Sequence, residues 1–104
     1  LKRAVAIVEK NMDNIEFSTD EFAREMNMSR SNLHLKLKAI TGESTIDFIR
    51  KIRFNEAAKL LKDGRYTVAE VSTMVGFNTP SYFATSFKKY FGCLPTEYIK
   101  KAKG

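Results

Sequence analysis

The 104-residue chain is 43% hydrophobic, with eight Phe, four Tyr and no Trp, and it carries a formal charge of +6. That is enough apolar bulk for one small domain or two very small subdomains, and it argues against a disordered chain. A single Cys93 and a single His34 leave no internal disulfide and no Cys/His metal set, and no apolar run approaches the roughly 20 residues of a membrane span.

Periodicity predicts helix along nearly the whole chain, in about seven pieces at roughly 2–13, 19–26, 30–41, 45–62, 68–75, 80–91 and 96–102. After the first helix, Ser18-Thr19-Asp20-Glu21 reads as a capping box, and Phe17 with Phe22 sits at the positions of a hydrophobic staple. The short helix they open ends at Asn27, a residue that tolerates positive φ. Ser29 then caps a helix that runs to Gly42. Ser44 is placed to cap a long helix from Thr45 to Lys62, with Ile49, Ile52, Leu60 and Leu61 among its apolar positions. At 1.5 Å per residue it spans about 27 Å, approaching the ~34 Å between successive major grooves on one face of a duplex, so it suits a stiff strut.

The pattern then repeats. Tyr66 and Val71 form a second staple, Thr67-Val68-Ala69-Glu70 a second capping box, Gly76 a second tight turn, and Thr79 a second cap with Pro80 in the first helical position. Phe17 to Gly42 therefore aligns with Tyr66 to Gly92, with one inserted residue. Helix, tight turn, second helix and terminal Gly, written twice, predicts an all-α fold of two helix-turn-helix subdomains joined by a long central helix. The expected boundaries are 1–43 for the first unit, 44–62 for the linker helix and 63–104 for the second unit.

Taking about 100° per residue, the inward stripe of the second helix of each unit is Leu33, Leu37 and Ile40 in one copy and Phe83, Phe87 and Tyr90 in the other. With Phe77 and Phe91, these aromatics fall at core spacings rather than forming base-stacking platforms. The outward faces are Ser31, His34, Leu35 and Lys38, and, 50 residues later, Ser81, Ala84, Thr85 and Lys88. Both are small, polar or cationic and carry no acid, which suits a helix laid in a negatively charged groove. The blander readings are a solvated basic surface and a harmless exposed leucine at 35. His34 has no acid, nucleophile or second histidine beside it in sequence, so a phosphate or solvent contact outweighs a catalytic role and no enzyme is expected.

These residues resemble the AraC-type DNA-binding domain. The resemblance is carried by Arg53 to Leu61, Val68-Ala69-Glu70-Val71, Val75-Gly76-Phe77, Pro80-Ser81-Tyr82-Phe83, Phe87-Lys88-Lys89-Tyr90-Phe91-Gly92 and Pro95-Thr96-Glu97-Tyr98. Met28 to Leu33 and Lys36 to Gly42 further resemble the version at the C-terminus of bacterial two-component regulators, including hybrid sensors. The family implies two units, each placing its second helix in a major groove of promoter DNA. Phe54 stands where the family usually has Leu, and Leu94 precedes Pro95 where a hydroxyl cap is common, weakening that helix start by about 1 kcal/mol. Leu35 and Thr85 stand where many relatives carry a DNA-facing arginine, so neither head has the bidentate guanine contact.

The resulting expectation is a promoter-binding output domain of a bacterial transcription regulator, needing no cofactor or metal. Ser31, Asn32, His34, Leu35, Ser81 and Thr85 would face base edges, and Arg30, Lys38, Asn78, Thr79, Lys88 and Lys89 phosphates. Double-stranded promoter DNA is the expected partner, with RNA polymerase beside it. The rival is a module in which one unit docks on a protein and only the other touches DNA. The opening Leu1 suggests a piece of a longer protein, cytoplasmic or the cytoplasmic portion of a membrane-anchored sensor. The isolated piece is expected to be monomeric, since no second apolar face is left over, while the parent is free to dimerise.

Overall fold

In the computed structural model, which describes residues 1–103, seven helices follow one another with no strand among the described residues. They are α1 (Lys2–Lys10), α2 (Thr19–Glu25), α3 (Arg30–Thr41), α4 (Thr45–Asp63), α5 (Val68–Met74), α6 (Pro80–Phe91) and α7 (Pro95–Lys103). The first helix stops short of its expected end at residue 13. There the chain tightens into i→i+3 bonds, Asn11 N–H to Val8 O at 3.1 Å and Met12 N–H to Glu9 O at 3.2 Å. The Asn11 side chain also donates to Ile7 O at 2.8 Å, sharing that carbonyl with its own N–H at 3.2 Å.

The repeat is geometric as well as textual. The helices α2 and α5 are each 7 residues long, and α3 and α6 are each 12. Both short helices end in a Schellman turn, with Met28 N–H donating to Ala23 O and Phe77 N–H to Ser72 O, each at 2.9 Å. The left-handed residue inside the turn is Asn27 (φ 58°) in one and Gly76 (φ 83°) in the other. Met28 is followed directly by the cap Ser29, whereas Asn78 intervenes between Phe77 and the cap Thr79, so Asn78 is the inserted residue.

Local start signals hold with one correction. Ser29 Oγ accepts from Asn32 N–H and Thr79 Oγ1 from Tyr82 N–H, both at 3.1 Å. Ser44 likewise caps α4 by accepting from Asp47 N–H. The Phe17 and Phe22 rings of the first staple lie 5.9 Å apart. Only the second capping box is complete, with Thr67 N–H donating to the Glu70 carboxylate at 2.9 Å and Glu70 N–H to Thr67 Oγ1 at 3.1 Å. In the first, Ser18 Oγ accepts from Glu21 N–H at 3.2 Å but no return bond forms. Ser18 is exposed, so water can serve its N–H without ordering a rotamer-rich glutamate. At α7 the Glu97 carboxylate accepts from Leu94 N–H at 2.8 Å, the return bond of a capping box whose hydroxyl half Leu94 cannot supply.

Two cores result. Val8, Phe22, Leu33, Leu37 and Phe48 are central to the first; Phe54, Leu61, Val71, Val75, Phe83 and Phe87 make the second. Phe54, where leucine is usual in the resembling family, is fully buried, and the rings of Phe77, Phe83, Phe87, Tyr90 and Phe91 lie 4.9–6.4 Å from it. The long helix is more than a strut: Phe48 and Ile49 enter the first core, and Phe54, Ala57 and Leu61 the second. Met12 crosses the other way and packs on the second core.

Two of the inward positions are corrected. Ile40 is 55% exposed and Tyr90 41% exposed, although both point with their stripes. They occupy equivalent sites in the last turn of α3 and α6. A 7-residue partner helix reaches only about 10 Å along a helix of about 18 Å, so it cannot cover the whole inward stripe. Tyr90 still lays its ring on Phe54, 4.9 Å between centroids.

Candidate nucleic-acid interface

The caps aim both recognition-type helices. Ser29 and Thr79 each satisfy one first-turn N–H, and the first turns of α3 and α6 stand exposed ahead of the buried anchors Leu33 and Phe83. Every residue expected at base edges is exposed: Ser31, Asn32, His34 and Leu35 on α3, Ser81 and Thr85 on α6. Leu35 is 64% exposed while Leu33 is 1% exposed, as about 200° between them requires. The residues expected at phosphates, Arg30, Lys38, Asn78, Thr79, Lys88 and Lys89, are exposed as well. Arg30 is already engaged, its Nε 2.9 Å from the Asp20 carboxylate, though both partners are solvated.

These faces border three adjoining depressions. Ser31, His34 and Leu35 line a depression floored by Thr45 and Ile46. Ile46 also lines the next depression, with Ile15, Arg50, Asn78 and Tyr82. Arg50 and Tyr82 continue into a third, with Thr85, Lys89, Glu43 and Asp47. Three depressions thus adjoin through shared wall residues from α3 across the start of α4 to α6, on a body 43 × 23 × 22 Å. The carboxylates in them are matched by cations, Asp47 with Arg50 at 4.0 Å and Glu43 with Lys51 at 3.7 Å. Ile15, Ile46 and Tyr82 are exposed along these depressions.

Ile46, Arg50 and Tyr82 belong to this surface and escape a comparison of the two repeats, since two of them lie in the segment between. For the two on α4 the signal is helical spacing: Ile46 and Arg50 stand i, i+4 and line the same depression. Among the described residues, no group of three His, Cys, Asp or Glu side chains is placed to hold a metal, and no helix is long and apolar enough to cross a membrane.

A family profile described as a helix-turn-helix domain matches residues 22–101. The chain belongs to this family, in its AraC-type form. The AraC-type domain is 40% identical over 98 residues to histidine kinase P4 of Formosa agariphila, covering 94% of this chain and 7% of that protein. Among solved structures it resembles the C-terminal domain of AraT, a response regulator from Geobacillus stearothermophilus, with 31% identity and a TM-score of 0.88 over 96% of this chain and 83% of that one. The DNA-binding domain of AdpA, solved with a target DNA, has 24% identity and a TM-score of 0.86 over 96% and 89% of the two chains, and at that identity speaks for the fold alone. The domain spans about a third or less of the curated relatives it matches, from 7% to 34% of the first three.

Proposed function

We propose that this AraC-type domain is the promoter-binding output domain of a bacterial two-component or hybrid regulator, with residues 1–43 and 63–104 as two reading heads that enter successive major grooves together. The observation that carries this reading is the run of adjoining depressions between the exposed faces of α3 and α6, on a body 43 Å long against a groove repeat of ~34 Å.

Ser31, Asn32, His34 and Leu35 face bases in one groove, and Ser81 and Thr85 in the next; Leu35 offers an apolar contact for a thymine methyl. Lys38, Lys88, Lys89, Asn78 and Thr79 hold phosphates, Thr79 by donating the hydroxyl proton that its cap bond leaves free. Arg30 exchanges Asp20 for a phosphate, a cheap exchange because an exposed ion pair contributes only about 0–1 kcal/mol. The match to a small part of a histidine kinase supports a hybrid parent, in which the domain works in the cytoplasm and passes the signal on beside RNA polymerase.

Footprinting on a duplex selected from random sequence tests the arrangement. Two engaged heads protect two successive grooves; Ser31→Glu shortens the footprint from one side and Ser81→Glu from the other. Affinity falls with salt, each neutralised phosphate adding about −0.9 to the log–log slope, and a slope near zero removes the DNA reading. A footprint and affinity untouched by Ser31→Glu would make the first head a protein-docking surface.

A further inference from the structure

Between the heads lies a polar junction that the recognition helices do not use. Arg53, on the middle of α4, donates from Nη2 to Asn14 O at 2.9 Å and from Nη1 to Gly76 O at 3.3 Å. The first carbonyl belongs to the loop between α1 and α2 of the first unit, the second to the tight turn of the second unit. The two segments are nearly in contact: a Cβ on Gly76 would stand 2.6 Å from Met12 O and 2.9 Å from Arg53 Cζ. Arg53 is half-buried, its Nε has no partner, and burial pushes the guanidinium pKa down from its usual value. A cation held at that cost with both terminal nitrogens on carbonyls is poorly placed to serve a phosphate. Only Phe77 and Asn78 separate Gly76 from the cap of α6, so a fixed Gly76 carbonyl fixes where α6 starts.

We propose that Arg53 is a positioning residue that ties the loop of the first unit to the turn of the second, and so sets the spacing and helical phase of the two DNA boxes that can be read at once. The proposal deepens the two-head reading and rests on it. A planar fork with two parallel donors suits this task better than a lysine ammonium on a flexible stem.

The tie is tested without DNA by the distance distribution between spin labels at Lys36→Cys and Ala69→Cys, in the Cys93→Ala background. The parent should give one narrow distribution. Arg53→Met should broaden it, Arg53→Lys less so, and Met12→Ala, which loosens the same seam from its apolar side, should broaden it even if Arg53→Met does not fold. Duplexes carrying one box, or two boxes with the spacer lengthened or shortened by single base pairs, test the consequence. The parent should bind two correctly spaced boxes about 10²-fold more tightly than one. Arg53→Met should lose about tenfold of that advantage, bind one box unchanged and discriminate less among spacers. An unchanged distance distribution overturns the tie alone. A salt slope reduced by about 0.9 on the single box makes Arg53 a phosphate contact and overturns the positioning role. Equal binding of one box and two by the parent overturns the two-head reading and the spacing role with it.

Discussion

The two helix-turn-helix units solve the same geometric problem with different chemistry. Each needs a left-handed residue to leave its short helix, and the first uses Asn27, the second Gly76. Asn27 is exposed, so its side chain has room and only the backbone preference matters. Gly76 is buried against Met12 O and Arg53, where no Cβ fits. The first core is built around three phenylalanines among aliphatics; the second is a cluster of rings about Phe54. Turn and cap geometry define the unit, while the filling is set by what each unit packs against.

That contrast is broken most forcefully at the turns. Gly76→Ala should cost about 3 kcal/mol or more, from the left-handed backbone and the 2.6 Å approach together, whereas Asn27→Ala should cost about 1 kcal/mol, from the backbone alone. Urea unfolding of the two variants measures both; equal losses would mean the seam at Gly76 carries no energy. Leu35→Arg tests whether the heads differ in reading rather than in folding. The melting temperature should stay nearly unchanged, because Leu35 is exposed, while selected sites gain a guanine favoured by about 1–3 kcal/mol. A changed melting temperature with unchanged base preference would put Leu35 in contact with the core. The smallest effect concerns the caps: Glu70→Ala should cost about 0.5–1 kcal/mol and Glu21→Ala close to none, since only Glu70 returns a bond to its cap. Similar losses in thermal unfolding would show that both boxes close in solution.

Most of the fold was legible in the sequence because its signals are local. Ser29, Thr79, Pro80, Asn27 and Gly76 each state a helix start or stop within a few residues, and the outward position of Leu35 follows from one angle. Ile40 and Tyr90 escaped because an angle gives direction, and burial also needs a neighbour long enough to cover the site. Arg53 escaped for a different reason. Its two partners are backbone carbonyls at residues 14 and 76, which carry no side-chain signature, and its place in the sequence marks only resemblance. Arg50 and Tyr82 joined the depressions only once α4 was folded between the repeats.

The long helix that lends side chains to both cores also governs how the domain comes apart. A cut within Thr45–Asp63 breaks the one helix on which both cores rest, and even between Phe48 and Phe54 it takes Met12 away from the second core. Heating should therefore melt the whole body in one calorimetric peak, and the amides of α4 should exchange with deuterium only when everything opens at once. Two heads that look modular on a duplex are, in their unfolding, a single indivisible object.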